Sequence, residues 1–96
     1  MLHSFTDWAN QVPERFIGSN VDVWVTEGEK SENPSARLDI DTPTAVARIT
    51  YWESGDYDAE IIDLESEHTV FSERGRFNDR NFSERFSPFF EALGFS

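Results

Sequence analysis

The chain has 96 residues, 38% of them hydrophobic and 28% charged, a composition for one globular domain spanning residues 1–96 and too short for two. Nineteen acidic against eight basic residues give a net charge of -11, which repels a phosphate backbone or an anionic bilayer, so no nucleic acid and no membrane is expected as a partner. The absence of cysteine removes disulfides and thiolate chemistry together and fits a reducing, cytoplasmic location.

The opening segment reads as a helix. Ser4 is placed to cap it with Asp7 three positions on, and Phe5, Trp8, Ala9, Val12 and Phe16 recur at helical spacing. Pro13 should kink or interrupt that helix, and Gly18 should stop it. The N-terminus carries no basic region followed by an apolar run, so no signal peptide is expected.

The period then changes from helical to two. Val21, Val23 and Val25 alternate with Asp22, Trp24 and Thr26, and after a loop over 27–35 Ala36, Leu38 and Ile40 alternate with Arg37, Asp39 and Asp41. Thr42 and Pro43 mark a turn, and 45–52 and 56–62 are two further strands joined by Glu53, Ser54 and Gly55. A three-residue hairpin loop with Gly55 in the left-handed position sets Trp52 opposite Asp56, Tyr51 opposite Tyr57, Ile49 opposite Ala59 and Arg48 opposite Glu60. Ala47, Ile49, Tyr51, Tyr57, Ala59 and Ile61 then share one face, and a one-residue slip would scatter them.

Beyond Leu64 the polar run at 65–68 is a loop, and Thr69, Val70 and Phe71 are either a short edge strand or the lead-in to the last helix. Asp79 or Asn81 caps that helix, whose stripe is Phe82, Phe86, Phe89, Phe90 and Leu93. Pro88 suits a helix start, so this region is two short helices or one kinked one, ending near Gly94. The expected fold is α+β: a four-stranded antiparallel β-meander with N-terminal and C-terminal helices packed on one face.

Residues with catalytic potential do not assemble into a motif. His3 and His68 lie far apart in sequence and read as surface residues. The strand carboxylates could in principle serve acid–base or cation chemistry, but no calcium-type loop, phosphate loop or nucleophile motif accompanies them. No enzyme activity, catalytic residue, metal or cofactor is expected.

The outer sheet face is more informative. Alternation collects Trp24, Asp39, Asp41, Trp52, Asp56, Asp58 and Glu60 there, with Asp22, Arg37, Arg48 and Thr50. Two tryptophans among acids suit an interface, with aromatics as anchors and charges that steer an opposite-signed partner. The competing reading is that a helix or loop of the same chain covers one or both tryptophans.

Three strings carry a resemblance: Ser35-Ala36-Arg37-Leu38-Asp39-Ile40-Asp41-Thr42, Ala47-Arg48-Ile49-Thr50-Tyr51-Trp52-Glu53-Ser54-Gly55 and Glu60-Ile61-Ile62-Asp63-Leu64-Glu65-Ser66. With the acidic, Phe-rich C-terminus, they resemble the TriTu family of immunity proteins over about residues 20–95. The resemblance implies a stoichiometric inhibitor from a bacterial polymorphic toxin system, made in the toxin-producing cell, whose partner is a cognate toxin domain; the chain's own acidity suits a basic surface on that domain. It brings no established catalytic residues with it. An acidic adaptor or nucleic-acid mimic acting on some other basic protein is the alternative from a different class.

Overall fold

The computed structural model describes residues 2–95. Helix α1 (Leu2–Ala9) opens the chain, followed by a 3₁₀ turn at Val12–Phe16. Strands β1 (Asp22–Glu27), β2 (Ser35–Asp41), β3 (Ala45–Trp52), β4 (Asp56–Asp63) and β5 (Thr69–Arg76) come next, and short helices α2 (Phe82–Arg85) and α3 (Ser87–Ala92) end it. The five strands form an antiparallel sheet in sequence order, so the fold is α+β with one strand more than the sequence pattern implies.

The extra strand has a physical explanation. β5 pairs Arg76 with Asp56, Arg74 with Asp58 and Ser72 with Glu60, so Phe71, Glu73 and Gly75 face inward. Glu73 sits there because its Oε1 accepts a hydrogen bond from Tyr57 Oη at 2.8 Å. Gly75 sits there because a Cβ would come within 2.9 Å of the same hydroxyl. The inward row therefore lacks the apolar alternation by which a strand is recognised. An irregularity between Ile61 and Ile62 leaves Val70 unpaired and 57% exposed, so an apolar residue stands on the outward side and further hides the period.

The helices also depart in detail from the sequence reading. α1 begins at Leu2, before Ser4, and the Leu2 N–H donates to Glu53 Oε2 at 3.1 Å in the β3–β4 turn. A distant acceptor thus serves an N–H group that a local cap would otherwise satisfy. Pro13 falls at the start of the 3₁₀ turn, where its missing N–H costs nothing, and Gly18 follows at φ +83°. At the other end Asn81 rather than Asp79 caps α2 through a bond from the Glu84 N–H, and Pro88 opens a separate α3.

Register follows the expected hairpin: Tyr51 pairs with Tyr57, Ile49 with Ala59 and Arg48 with Glu60. Gly55 in the turn has φ +94°. The helices cover the inner face, where Leu38, Ile40, Ile49, Tyr51, Tyr57 and Ile61 are buried with Phe5, Phe82, Phe86, Phe89 and Phe90. Phe5 stacks on Tyr51 with ring centroids 5.0 Å apart, and Phe86 meets Tyr57 edge-on at 5.2 Å. Such pairs add about 0.5–1.5 kcal/mol each beyond area burial. Tyr51 Oη donates to the Phe77 carbonyl at 2.5 Å, and Arg85 donates to Tyr57 Oη, so both buried phenols are satisfied.

Candidate partner-binding surface

Among the described residues the helices pack on one side of the sheet, against its inward residues, and leave the other side without a helix over it. Pairing aligns its outward residues in rows across the strands. Asp22, Asp41, Val46 and Ile62 form the first row, and Trp24, Asp39, Arg48, Glu60 and Ser72 the second. Thr26, Arg37, Thr50, Asp58 and Arg74 form the third, and beyond it lie Ser35 with Trp52 and Asp56 with Arg76. The seven residues singled out from the sequence thus share this face, but they occupy two different environments.

Around Trp24, the face forms an open concavity of about 370 Å³ lined by Asp39, Asp41, Val46, Arg48, Glu60 and Ile62. Trp24 is 43% exposed and makes no ring contact with another aromatic among the described residues. Asp39 is buried although it lies on the outer face, at only 5% exposed. Arg48 Nε donates to its Oδ1 at 2.7 Å, and Arg37 Nε lies 4.0 Å from Oδ2. This pairing removes the charge that burial would otherwise penalise. Asp41 is half-buried and Glu60 exposed; among the described residues neither has an ion-pair partner.

Trp52, Asp56 and Asp58 line a second concavity, of about 530 Å³, with Arg74 and Gly75. Trp52 is half-buried, and so are both acids. Arg76 donates from Nε to Asp56 Oδ1 at 3.1 Å, and Ser54 Oγ donates to Asp56 Oδ2 at 2.8 Å. These bonds, from Arg76 first and Ser54 second, hold the Asp56 carboxyl below the ordinary carboxylate range. Arg74 Nε lies 3.5 Å from Asp58 Oδ2. The two arginines are the site residues that sequence reasoning missed. Their signal was present, since Arg74 and Arg76 are spaced to match Asp56 and Asp58, but it is legible only once 69–76 is read as a strand.

The arginines divide the face electrostatically. In the first two rows Asp22, Asp39, Asp41 and Glu60 stand against Arg48 alone. Beyond them, Asp56 and Asp58 stand against Arg37, Arg74 and Arg76. One half of the face is therefore acidic, and the other carries a slight positive excess. The next acids beyond the acidic half, Asp63, Glu65 and Glu67, lie at the β4–β5 turn. There the Ser66 N–H bonds to Asp63 Oδ2 at 2.8 Å and lowers the Asp63 pKa.

The two histidines do not join either concavity. His3 Nε2 lies 3.2 Å from Asp7 Oδ2 on the exposed side of α1, and His68 is exposed at the β4–β5 turn. Among the described residues no group of three or more His, Asp or Glu side chains is placed to hold a metal ion. Among the described residues no helix is long and apolar enough to cross a membrane.

A sheet face left bare by its own helices, with an exposed tryptophan and unneutralised acids, is suited to binding another macromolecule. No curated protein sequence matches the chain. The family model for the immunity protein TriTu does match, over residues 3–92. Since that match takes in both helical ends and every strand, the chain belongs to the TriTu immunity protein family.

Proposed function

We propose that the protein is a cytoplasmic immunity protein that binds a cognate bacterial toxin domain and neutralises it by occupying its surface, with no reaction of its own. The observation that carries this reading is the family match over residues 3–92. The outer sheet face supports it: Trp24, Asp39, Asp41, Trp52, Asp56, Asp58 and Glu60 share the face opposite the one on which the described helices pack. Strands of up to eight residues, five abreast, span about 25 by 20 Å. With its flanking turns, that is the scale of one partner's share of a standard interface, about 800 Å².

The toxin surface this face suits is basic. Of the chain's net charge of -11, enough lies outside internal ion pairs to draw a cationic partner from a distance. A toxin that acts on nucleic acid needs a cationic active-site surface, and an acidic inhibitor can take the place of phosphate there.

The test is co-expression in a bacterium of this protein with the toxin domain encoded beside its gene. Growth should be rescued, and the two chains should co-purify at one to one. Toxicity undiminished by the protein, together with no complex, would overturn the reading.

A further inference from the structure

Asp39 and Glu60 flank Arg48 on neighbouring strands, and Arg48 pairs with only one of them. Its Nε is fixed on Asp39 Oδ1 at 2.7 Å, and Glu60 is left without a cation among the described residues. Glu60 lines the concavity beside Trp24, together with half-buried Asp41 and the aliphatic side chains of Val46 and Ile62. The result is a groove with an aromatic wall, aliphatic lining, the Arg48 guanidinium engaged on Asp39, and two carboxylates to which the described residues supply no counter-ion.

Resting on the toxin-binding reading above, we infer that this groove is a socket for an arginine side chain of the toxin domain, and that toxin docking is centred on the Trp24 half of the face rather than the Trp52 half. An apolar side chain seated here would strip water from Asp41 and Glu60 and return no hydrogen bond. An anion would be repelled. A guanidinium suits the aromatic, aliphatic and acidic walls: its plane lies on the indole of Trp24, its methylenes lie along Val46 and Ile62, and its N–H groups donate to Asp41 and Glu60, while Arg48, also in the lining, is held on Asp39. The Trp52 half lacks the matching charge, because Arg74 and Arg76 already hold Asp58 and Asp56. An arriving arginine would have to displace an existing cation there. On the Trp24 half it meets an unmet charge.

Four single variants and the parent protein test this against the purified toxin domain encoded beside the gene, with its activity disabled by mutation. Kinetics are measured by surface plasmon resonance, and the fold of each variant is checked by thermal melting. Trp24→Ala should weaken binding by about 30-fold or more, the conventional hot-spot threshold expressed as an affinity ratio. Glu60→Gln should weaken it by about tenfold or more and reduce the salt dependence. Trp52→Ala and Asp58→Asn should change it by less than about threefold. Trp24 and Glu60 are exposed, so both test variants should remain folded.

Parent-like binding by folded Trp24→Ala and Glu60→Gln overturns the socket while leaving the immunity reading intact. The same holds if Trp52→Ala is the variant that fails. If the parent itself does not bind the toxin domain, both readings fall together. If sedimentation shows that the protein alone forms a dimer that Trp24→Ala dissociates, the groove holds a second copy and the socket is overturned.

Discussion

Arg48 Nε donates to Asp39 Oδ1 at 2.7 Å, between paired residues of β2 and β3, and this bond ties up the one cation of the acidic half of the outer face. The Asp39 side chain is 7% exposed and that of Arg48 47%, so the acid is the member that depends on the pair. Arg48→Met leaves Asp39 buried with only Arg37, 4.0 Å away. The expected loss of stability is about 1–3 kcal/mol, the usual cost of leaving a buried polar group without its partner. Replacing both residues, as Asp39→Leu with Arg48→Met, should recover much of that loss, because no buried charge remains. Urea denaturation of the two single variants and the double variant measures the coupling. A double variant as unstable as the sum of its singles would mean that the pair is not the unit of stability.

Gly75 and Tyr57 give a second test. A Cβ at Gly75 would lie 2.9 Å from Tyr57 Oη and 3.2 Å from two ring carbons. Gly75→Ala must push the phenol out of the position from which it donates to Glu73. The expected cost is about 1–3 kcal/mol, as for other overpacked sites. Adding Tyr57→Phe to Gly75→Ala removes the closest clashing atom and should restore part of the loss. No improvement in the melting temperature of the double variant over Gly75→Ala would show that the hydroxyl is not what excludes a side chain there.

The same contact explains how much of the fold was legible. Four strands showed themselves because their inward residues are apolar and most of their outward ones polar, and Gly55 set the β3–β4 register correctly. β5 showed only its start, with Thr69, Val70 and Phe71 as one of two readings, because Tyr57 requires a carboxylate and a glycine at two of its later inward positions. Leaving 72–76 out of the strand meant missing Arg74 and Arg76, and with them the fact that Asp56 and Asp58 are neutralised within the chain. The shared face of the seven candidate residues could be read from alternation alone. The burial of Asp39 could not, because alternation gives the side on which a residue lies and not what leans over it. The start of α1 was illegible for a similar reason, since its N–H acceptor, Glu53, is far away in sequence.

Alkaline pH offers a third test through the two tyrosines, the only ones in the chain. Tyr51 and Tyr57 both have pKa values raised above 10.0, in each case first by desolvation in the core. A raised folded-state value means that the folded form holds its proton where the unfolded form releases it. The stability contribution is therefore complete below about pH 10 and is lost as pH rises from there through the folded values. Tyrosinate absorbance should increase together with the loss of tertiary circular dichroism, as one event. Ionisation of both phenols near pH 10 in a protein that keeps its tertiary signal would contradict the burial of these rings.

The final prediction uses the arginines of β5 to test steering separately from contact. Arg74 and Arg76 are 82% and 65% exposed at the side chain, and their ion pairs with Asp58 and Asp56 are surface pairs. Arg74→Ala with Arg76→Ala should thus cost under about 1 kcal/mol per pair in stability. The double substitution removes two positive charges from a chain of net charge -11 and bares two carboxylates on the outer sheet face. Removing Arg76 also lets the Asp56 pKa rise back toward the ordinary carboxylate value, which still leaves it ionised at neutral pH. If a basic toxin is drawn in by the field of this face, the double variant should associate several-fold faster than the parent at low salt. The advantage should vanish near 1 M salt, where the screening length falls to about 3 Å. Stopped-flow association across a salt series measures both effects. A slower association at low salt would show that the toxin surface opposite these arginines is not basic, and unchanged association would show that the field of this face does not guide the encounter.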